Sequence, residues 1–269
     1  MPRTMLTDQH WQKLKVILRN LSIHHNSNLR NFIEAILYRI RTGCPWRDIP
    51  CCFGHSNSIF KRFNRWSSSG KLLRLFKLLA SCPDMEWIFI DGSHVRAHQH
   101  SAGIANQSIS KSVGGNSSKI HLIVDAHGNP IDFMITDGTT HDVKVAPDLI
   151  STLDLKETKV VCNVKVAPDL ISTLDLKETK VVCADKGYDS EPLREQIRKT
   201  GTKANIPKKT NSQSNNDHMD WYLYKIRHLV ENMFCRLKQF RGIATRYDKL
   251  KRNYQSSVAL ACIFLWLPL

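Results

Sequence analysis

The spacing of apolar residues divides the chain into a helical N-terminal third and a remainder that mixes strands with helices. Apolar residues three and four positions apart predict helices within residues 7–79, most clearly from Leu29 to Ile40. The change of pattern falls at residues 81–86, so we predict an all-α domain over residues 1–82 and an α/β domain over residues 83–269. Short apolar runs predict strands in the second part, at residues 87–91, 120–124, 131–135 and 180–183.

Residues 102–118, rich in Gly, Ser and Asn, are expected to form a loop between strands. Further along, residues 190–199 predict a helix and residues 204–207 a strand. The apolar stretch 258–269 is too short to span a bilayer and is expected to pack as a terminal helix.

Residues 224–238 predict one amphipathic helix whose polar residues share a side. At about 100° per residue, Tyr224, Arg227, Glu231 and Lys238 fall within about 60° of one another. A solvated helix face with an Arg227–Glu231 ion pair accounts for this spacing. A metal-binding carboxylate flanked by phosphate-holding groups accounts for it too, and requires carboxylates elsewhere in the chain.

Two such carboxylates follow apolar runs. Asp91 ends the run at 87–91 and Asp185 follows the run at 180–183. A carboxylate at the end of a buried strand is rigidly held, as a metal ligand needs to be. Either acid alone could be an ordinary turn residue, so the two gain weight only together with Glu231.

These motifs resemble those of a known family. The spacing Tyr224-x2-Arg227-x3-Glu231-x6-Lys238 resembles the Tyr-Arg-Glu-Lys signature of bacterial insertion-sequence transposases of the DDE class. Residues 185–190 resemble the motif around the second aspartate of that family, and residues 90–93 resemble the motif around the first. The nearest group is the insertion-sequence-5 family, and the resemblance extends over nearly the whole chain.

The resemblance implies a ribonuclease H-like α/β catalytic domain preceded by a small all-α domain similar to a helix-turn-helix unit. It implies that Asp91, Asp185 and Glu231 are the catalytic residues and hold two Mg²⁺ ions, for which Mn²⁺ can substitute. The residues implied to contact DNA beside these acids are Tyr224, Arg227 and Lys238.

The net charge of +15 and the pI of about 9.6 predict a polyanionic partner. Most of this excess lies in residues 1–82, where 14 Lys and Arg face three Asp and Glu. The predicted helix near residues 56–69 has a basic side with Lys61, Arg62 and Arg65, which we expect to contact DNA phosphates. A plain helical bundle with a solvated basic side is the alternative.

The resemblance implies that the partner is double-stranded DNA, both the terminal inverted repeats of an insertion sequence and the target, bound by a homodimer. The N-terminus has no signal-peptide pattern, and eight cysteines without an export signal indicate reduced thiols. We therefore expect a bacterial cytoplasmic protein associated with the nucleoid and without membrane contact.

Residues 143–162 are repeated without change as residues 164–183. The family pattern has one such unit, so this chain has one too many. The two copies are offset by 21 residues. If the strand of the first copy led to the site, Val164 would take the position of Asp185. Valine cannot bind a metal. We therefore predict that the strand of the second copy precedes Asp185 and that the first copy bulges outward, exposing Leu149.

Three functions remain open at this point. The first is a transposase that catalyses metal-dependent cleavage and strand transfer of insertion-sequence ends. The second is a catalytically inactive DNA-binding remnant of a transposase, disabled by the tandem duplication. The third is a different metal-dependent nuclease with the same fold.

Overall fold

The computed structural model describes residues 3–21, 23, 27–80, 83–112, 114–151, 179–209 and 215–268. Residues 152–178, with Cys162 and most of the repeated unit, lie outside the described residues, as do residues 81 and 82 at the predicted domain boundary. In the described part of the chain, no helix has both the length and the apolar character needed to cross a lipid bilayer.

The N-terminal third is helical, as the apolar spacing predicts. Thr7 caps the first helix by accepting a hydrogen bond from the His10 amide at 3.1 Å. Gly43 ends the second in the left-handed conformation, with a φ of 72°. The helices described in this region are α1 (Asp8–Asn20), α2 (Leu29–Thr42), α3 (Ser56–Ser68) and α4 (Lys71–Leu79).

A mixed β-sheet follows the helices. Its described strands are β1 (Trp87–Ala97), β2 (Ser110–Ser112), β3 (Gly115–Val124), β4 (Pro130–Asp137), β5 (Val181–Ala184), β6 (Lys203–Asn205) and β7 (Thr245–Arg246). β1 pairs antiparallel with β3, which pairs antiparallel with β4. On its other side β1 runs parallel to β5, and β5 runs parallel to β6. The short strands β2 and β7 extend the sheet beside β3 and β1.

The predicted loop over residues 102–118 is wrong in its second half. Ser110 pairs with Ser117 as β2 meets β3, and β3 already begins at Gly115. These strands form through backbone hydrogen bonds, which small polar side chains permit. The apolar alternation that marks a strand in the sequence is therefore missing here.

Helices cover both sides of the sheet. The described helices of this region are α5 (Asp142–Ser151), α6 (Glu191–Lys199), α7 (Trp221–Ile226), α8 (His228–Lys238), α9 (Arg241–Ala244) and α10 (Lys251–Trp266). Side chains alternate along β1, so Phe89 joins the core shared with α8 and α10, whereas Ile88 and Ile90 join the core shared with α5 and α6. The result is a sheet between two helical layers.

The N-terminal helices share the first of these cores with the rest of the chain. α3 and α4 pack against α10, which confirms the predicted packing of the apolar C-terminal stretch. Phe76 of α4 meets Phe133 of β4 at a ring-centroid distance of 5.8 Å. A buried ion pair, Arg39 Nη2 to Asp248 Oδ1 at 3.2 Å, also links α2 to the segment before α10. The helices and the sheet are thus packed together around one core, and the boundary at residue 82 stays a prediction.

The predicted single helix over residues 224–238 is divided in two. α7 begins at Trp221, because the Asp220 side chain caps it by accepting a hydrogen bond from the Leu223 amide at 3.0 Å. It ends at Ile226, and Arg227 forms a turn before α8 begins. The helix therefore starts earlier than the pattern predicts and breaks at one of the candidate site residues.

Within residues 143–151 and 179–183, the described parts of the repeat, each copy contributes one element. β5 is the strand of the second copy, as predicted, and it pairs in parallel with β1 immediately before Asp185. The prediction that the first copy bulges outward is wrong for its helix. α5 is that helix, and Leu149 is buried rather than exposed. The first copy is preceded by Asp142, which pairs with Lys119, whereas the second is preceded by Asn163, which has no charge to offer.

Candidate active site

The first predicted acid lies in the central strand. Asp91 is two residues after Phe89 in β1 and therefore points to the face that α8 covers. Its Oδ1 accepts a hydrogen bond from the Gly92 amide at 2.7 Å. Burial raises the pKa of Asp91, and the nearby Asp185 charge adds to that effect, while Gly92 and Arg227 oppose it. The pKa is raised overall, because burial is the largest of these effects.

The second acid follows the neighbouring parallel strand. The register pairs Ile90 of β1 with Ala184 of β5, so Asp91 and Asp185 come next along adjacent strands. Asp185 Oδ1 accepts a hydrogen bond from the Gly187 amide at 2.6 Å, which fixes the carboxylate at the start of the following turn. Its charge raises the pKa of Asp91, as expected for two carboxylates on neighbouring strands.

Arg227 connects the first acid with the acid on the helix. Its Nη1 donates to Asp91 Oδ2 at 2.8 Å, and its Nη2 donates to Glu231 Oε1 at 2.5 Å. Burial lowers the pKa of Arg227, but the charges of Asp91 and Glu231 outweigh it and raise that pKa overall. One guanidinium group thus contacts two carboxylates that lie 140 positions apart in the sequence.

The rest of the predicted helix face also meets β1. The Arg227 guanidinium lies 5.6 Å from the centre of the Tyr224 ring. Lys238 Nζ donates to Ser93 Oγ at 2.7 Å, and Ser93 is on the same face of β1 as Asp91. The structure therefore brings the polar stripe of α7 and α8 against the strand that carries the first acid.

A second charged cluster lies on the opposite face of β1, and the sequence reasoning missed it. Asp142, the first residue of α5, is 2.7 Å from Lys119 Nζ and 3.2 Å from His121 Nδ1. Gly92 is paired with His121 across the β1–β3 ladder. A Cβ at Gly92 would lie 2.6 Å from Asp142 Oδ1, so only glycine leaves room for this carboxylate.

Asp142 is also close to the second acid. A Cβ at Gly187 would lie 2.8 Å from Asp185 Oδ1 and 3.5 Å from Asp142 Oδ2. Burial raises the pKa of Asp142, but hydrogen bonds from His121 and Lys119 and their charges lower it to about 2. The sequence alone did not mark Asp142 as a site residue. Its partners could not be identified, because they depend on the pairing of β1 with β3.

Comparisons with known proteins identify the family of this chain. The family described as "Transposase DDE domain" matches residues 83–266, which include the three acids and the polar stripe. A second family, described as "Putative transposase of IS4/5 family", matches residues 6–76. The chain belongs to the DDE transposases of the IS4/5 family.

Two curated proteins are similar to this transposase. The "Putative transposase for insertion sequence element IS6501" of Brucella ovis is 33% identical over 152 residues, which are 56% of this chain and 98% of that protein. The "Uncharacterized protein y4sN" of Sinorhizobium fredii is 35% identical over 101 residues, 36% of this chain and 81% of that protein. Among solved structures, the piggyBac transposase in a synaptic complex with hairpin DNA aligns with 97% of this chain and 72% of that chain, with a TM-score of 0.44 and 11% identity.

The basic residues predicted on the N-terminal helices of the transposase are on a different element from these acids. Lys61, Arg62 and Arg65 are on α3, whose buried side packs against α10. Lys61 and Arg65 are exposed. The Arg62 guanidinium instead lies 4.4 Å from the centre of the Phe32 ring, so its stem and charge are held against α2. Burial, with the neighbouring Arg65 charge, lowers the pKa of Arg62.

The three acids predicted to hold metal in the transposase carry the type of donor atom that a hard divalent cation prefers. Asp91, Asp185 and Glu231 offer only carboxylate oxygens, the ligands that Mg²⁺ and Mn²⁺ take in proteins. In the conformation described, with the gaps given above, no three His, Cys, Asp or Glu side chains lie close enough to hold one metal ion together. Arg227 contacts two of the three carboxylates and supplies the positive charge there.

Proposed function

We propose that this chain is a ribonuclease H-like transposase that cleaves the ends of its insertion sequence and joins them to target DNA. The strand order supports this proposal. Three antiparallel strands, β4, β3 and β1, continue into two parallel strands, β5 and β6. Asp91 lies within β1 and Asp185 directly follows the neighbouring strand β5, and open α/β sheets commonly bind their ligands where parallel strands end.

The observation that carries the proposal is the double contact of Arg227. A guanidinium held at 2.8 Å by Asp91 and at 2.5 Å by Glu231 places both carboxylates around one centre of positive charge. Asp185, next to Asp91 in the sheet register, supplies the third carboxylate. We propose Asp91, Asp185 and Glu231 as the ligands of two Mg²⁺ ions.

When bound, Mg²⁺ would supply Lewis-acid activation of a water or 3′ hydroxyl nucleophile and charge compensation for the leaving oxygen. The residues of this chain would position the DNA. Arg227 has a planar fork that matches two phosphate oxygens. Lys238 offers a point charge from its position at Ser93. These contacts orient the scissile phosphate over the carboxylates.

The N-terminal helices would grip duplex DNA. Their excess of positive charge and the exposed Lys61 and Arg65 on α3 favour phosphate contacts, and Arg62 lies beside them on the same helix. We propose that the substrate is the double-stranded terminal inverted repeat of the element, and then target DNA. We further propose that a homodimer brings two ends together in the bacterial nucleoid.

Cleavage of the element's own ends tests this function. The purified chain, given Mg²⁺ and a DNA fragment carrying the ends that flank this coding sequence, is expected to cut at the element boundary. Asp91→Asn is expected to lower the rate at least about 1000-fold, since several kcal/mol of transition-state charge stabilisation depend on the metal. Asp148→Asn, an exposed acid on α5, is the matched control and is expected to cut at the parental rate.

The duplication favours a second candidate, a transposase remnant that binds DNA without cutting it. The extra 21 residues lie between α5 and β5, which carry Asp142 and lead to Asp185. Binding of the ends without Mg²⁺-dependent cleavage, together with cleavage after removal of one copy, would select this alternative. Cleavage by the unaltered chain would reject it.

A further inference from the structure

A basic pocket lies on the side of the sheet where β6 is the last described strand. Its volume is about 280 Å³, slightly below the range of pockets that bind drug-sized ligands. Four of its six lining residues are Lys or Arg and none is an acid, so the pocket suits a small anionic group. The lining side chains come from α6, from β6 and from the segments after β6: Arg194, Arg198, Lys203, Ala204, Lys208 and His218.

Arg194 is the fixed part of this pocket. Its side chain is only 4% exposed, and its Nε and Nη2 donate to the same oxygen of Asp189 at 3.1 and 2.8 Å. Nη2 also donates to the Ile206 carbonyl oxygen at 2.6 Å, and Nη1 lies 3.2 Å from His218 Nε2. A guanidinium held in this way is already ordered, so little conformational freedom is lost when an anion binds beside it.

Two further cations of the pocket share one exposed acid. The Lys208 amide donates to Asn216 Oδ1 at 2.8 Å, which fixes the backbone after β6. The Lys208 ammonium is 3.5 Å from Glu191, which also pairs with Arg198. Because the Glu191 side chain is 60% exposed, solvent screens both ion pairs and weakens them. An anion in the pocket can therefore compete with Glu191 for these two cations.

Positive charge exceeds negative charge around the pocket. Among the described residues, two acids contact the lining cations, Asp189 at Arg194 and Glu191 at the two cations named with it. Lys203 is exposed, and no acid in the described part of the chain lies within ion-pair distance of it. Four cations thus face two carboxylates, and the excess attracts an anion.

The pocket is close enough to the candidate active site for one DNA molecule to reach both. Asp189, which holds Arg194, is four residues after Asp185. Four residues span at most about 14 Å even when fully extended. One turn of duplex DNA is about 34 Å long. DNA that lies at the acids can therefore extend to the pocket within a single turn.

We propose that this pocket binds a phosphate group of the DNA backbone beside the cleavage position. A phosphodiester offers two charged oxygens, which Arg198 can take as a fork and Lys203 as a point charge. Such a contact positions the DNA and reads no base. A free phosphate has the same chemistry, and the experiment separates the two sources. This inference rests on the proposed function, because it assumes that DNA is the substrate.

The salt dependence of DNA binding in metal-free buffer tests the pocket separately from catalysis. Two labelled duplexes, one with an element end and one of unrelated sequence, are titrated with the chain and followed by anisotropy from about 50 to about 200 mM salt. Lys203→Gln is expected to weaken binding of both duplexes by the same factor. It is also expected to reduce the slope of log K against log salt by about 1, as the loss of one phosphate contact does.

A matched control removes the same charge outside the pocket. Lys199 is on α6 with a side chain that is 73% exposed and does not line the pocket. Lys199→Gln is expected to keep the parental slope, and Arg198→Gln is expected to reproduce the loss seen in Lys203→Gln. Urea unfolding of Lys203→Gln is expected to match the parent, because the side chain is exposed.

The inference is overturned if Lys203→Gln keeps the parental slope, if Lys199→Gln loses as much, or if only the duplex with the element end is affected. Inorganic phosphate, followed by phosphorus NMR without DNA, covers the other source. Phosphate binding that Lys203→Gln abolishes, together with an unchanged salt slope, would assign the pocket to free phosphate and reject the DNA contact. Failure of end cleavage in Mg²⁺ would contradict the proposed function instead, since this assay contains no metal.

Discussion

Replacing Asp142 with asparagine isolates the charge that holds the start of α5 against the sheet. The Asp142 carboxylate is 2.7 Å from Lys119 Nζ and 3.2 Å from His121 Nδ1. Asparagine keeps the size of the side chain and removes the negative charge. The Lys119 side chain is only 9% exposed, so its ammonium loses its ionic partner in a position that solvent compensates poorly.

The size of the effect follows from the pKa of Asp142. A carboxyl group whose pKa falls from 3.8 to about 2 on folding stabilises the native state by about 2.5 kcal/mol at neutral pH. The Asp142 side chain is 21% exposed, and solvent screening lowers the expected loss in Asp142→Asn to about 1–2 kcal/mol. Because the folded-state pKa is depressed, this stability is present above about pH 4 and is lost as the pH falls through about 2.

Urea unfolding at pH 7, 4, 3 and 2.5 measures this difference. The free energies of unfolding of the parent and Asp142→Asn are expected to differ most at pH 7 and to converge toward pH 2.5. Asp148→Asn, on the same helix but exposed, is expected to follow the parent throughout. A loss of stability that stays constant with pH would assign the effect to packing and contradict the ion-pair account.

Three further predictions concern the repeat. Leu149→Ala is expected to cost about 2–4 kcal/mol in urea unfolding because the residue is buried, and the same change at Leu170 in the second copy is expected to cost clearly less; equal losses would contradict the assignment of α5 to the first copy. Deletion of residues 152–172 leaves one intact copy and shortens the α5–β5 connection by 21 residues. A shorter loop costs less entropy to close, so the deletion is expected to raise the free energy of unfolding by about 1 kcal/mol. A destabilised deletion variant would refute this. Burial raises the pKa of the Cys183 thiol to about 11, so native-state alkylation at pH 8 is expected to be much slower at Cys183 than at exposed Cys235, and equal rates would show that β5 is wrongly assigned.

Local contacts of the site could be predicted from the sequence. Arg227 and Glu231 are four residues apart, and helical geometry alone brings them together, which the structure confirms at 2.5 Å. The contact between Arg227 and Asp91 could not be derived in this way. It requires α8 to cross β1, and the apolar pattern of each element says only that it is buried.

The Asp142 cluster illustrates a second limit. It depends on the β1–β3 register, which pairs Gly92 with His121 and places Lys119 two residues away on the same face. Strand patterns in a single sequence do not specify which strands pair. In the sequence, Gly92 is only one residue of the motif at 90–93. The structure shows why glycine is needed there, because Asp142 at the start of α5 comes too close to leave room for a Cβ.

The copy that supplies β5 could be predicted from the sequence, but the copy that supplies α5 could not. Asp185 follows only the second copy, so the choice of β5 could be made from the sequence. The two copies have the same sequence over the residues that form α5, and only the preceding residue differs, Asp142 or Asn163. The choice between them depends on long-range partners, Lys119 and His121, that the helix sequence does not contain.

The central claim is that Asp91, Asp185 and Glu231 hold divalent metal together. Mn²⁺ binding in the presence of end DNA, followed by electron paramagnetic resonance, tests it most directly. We predict that the parent and Asp148→Asn bind Mn²⁺ equally, and that Asp91→Asn, Asp185→Asn and Glu231→Gln each weaken binding at least about tenfold. Unchanged Mn²⁺ affinity in any of these three variants would contradict the claim.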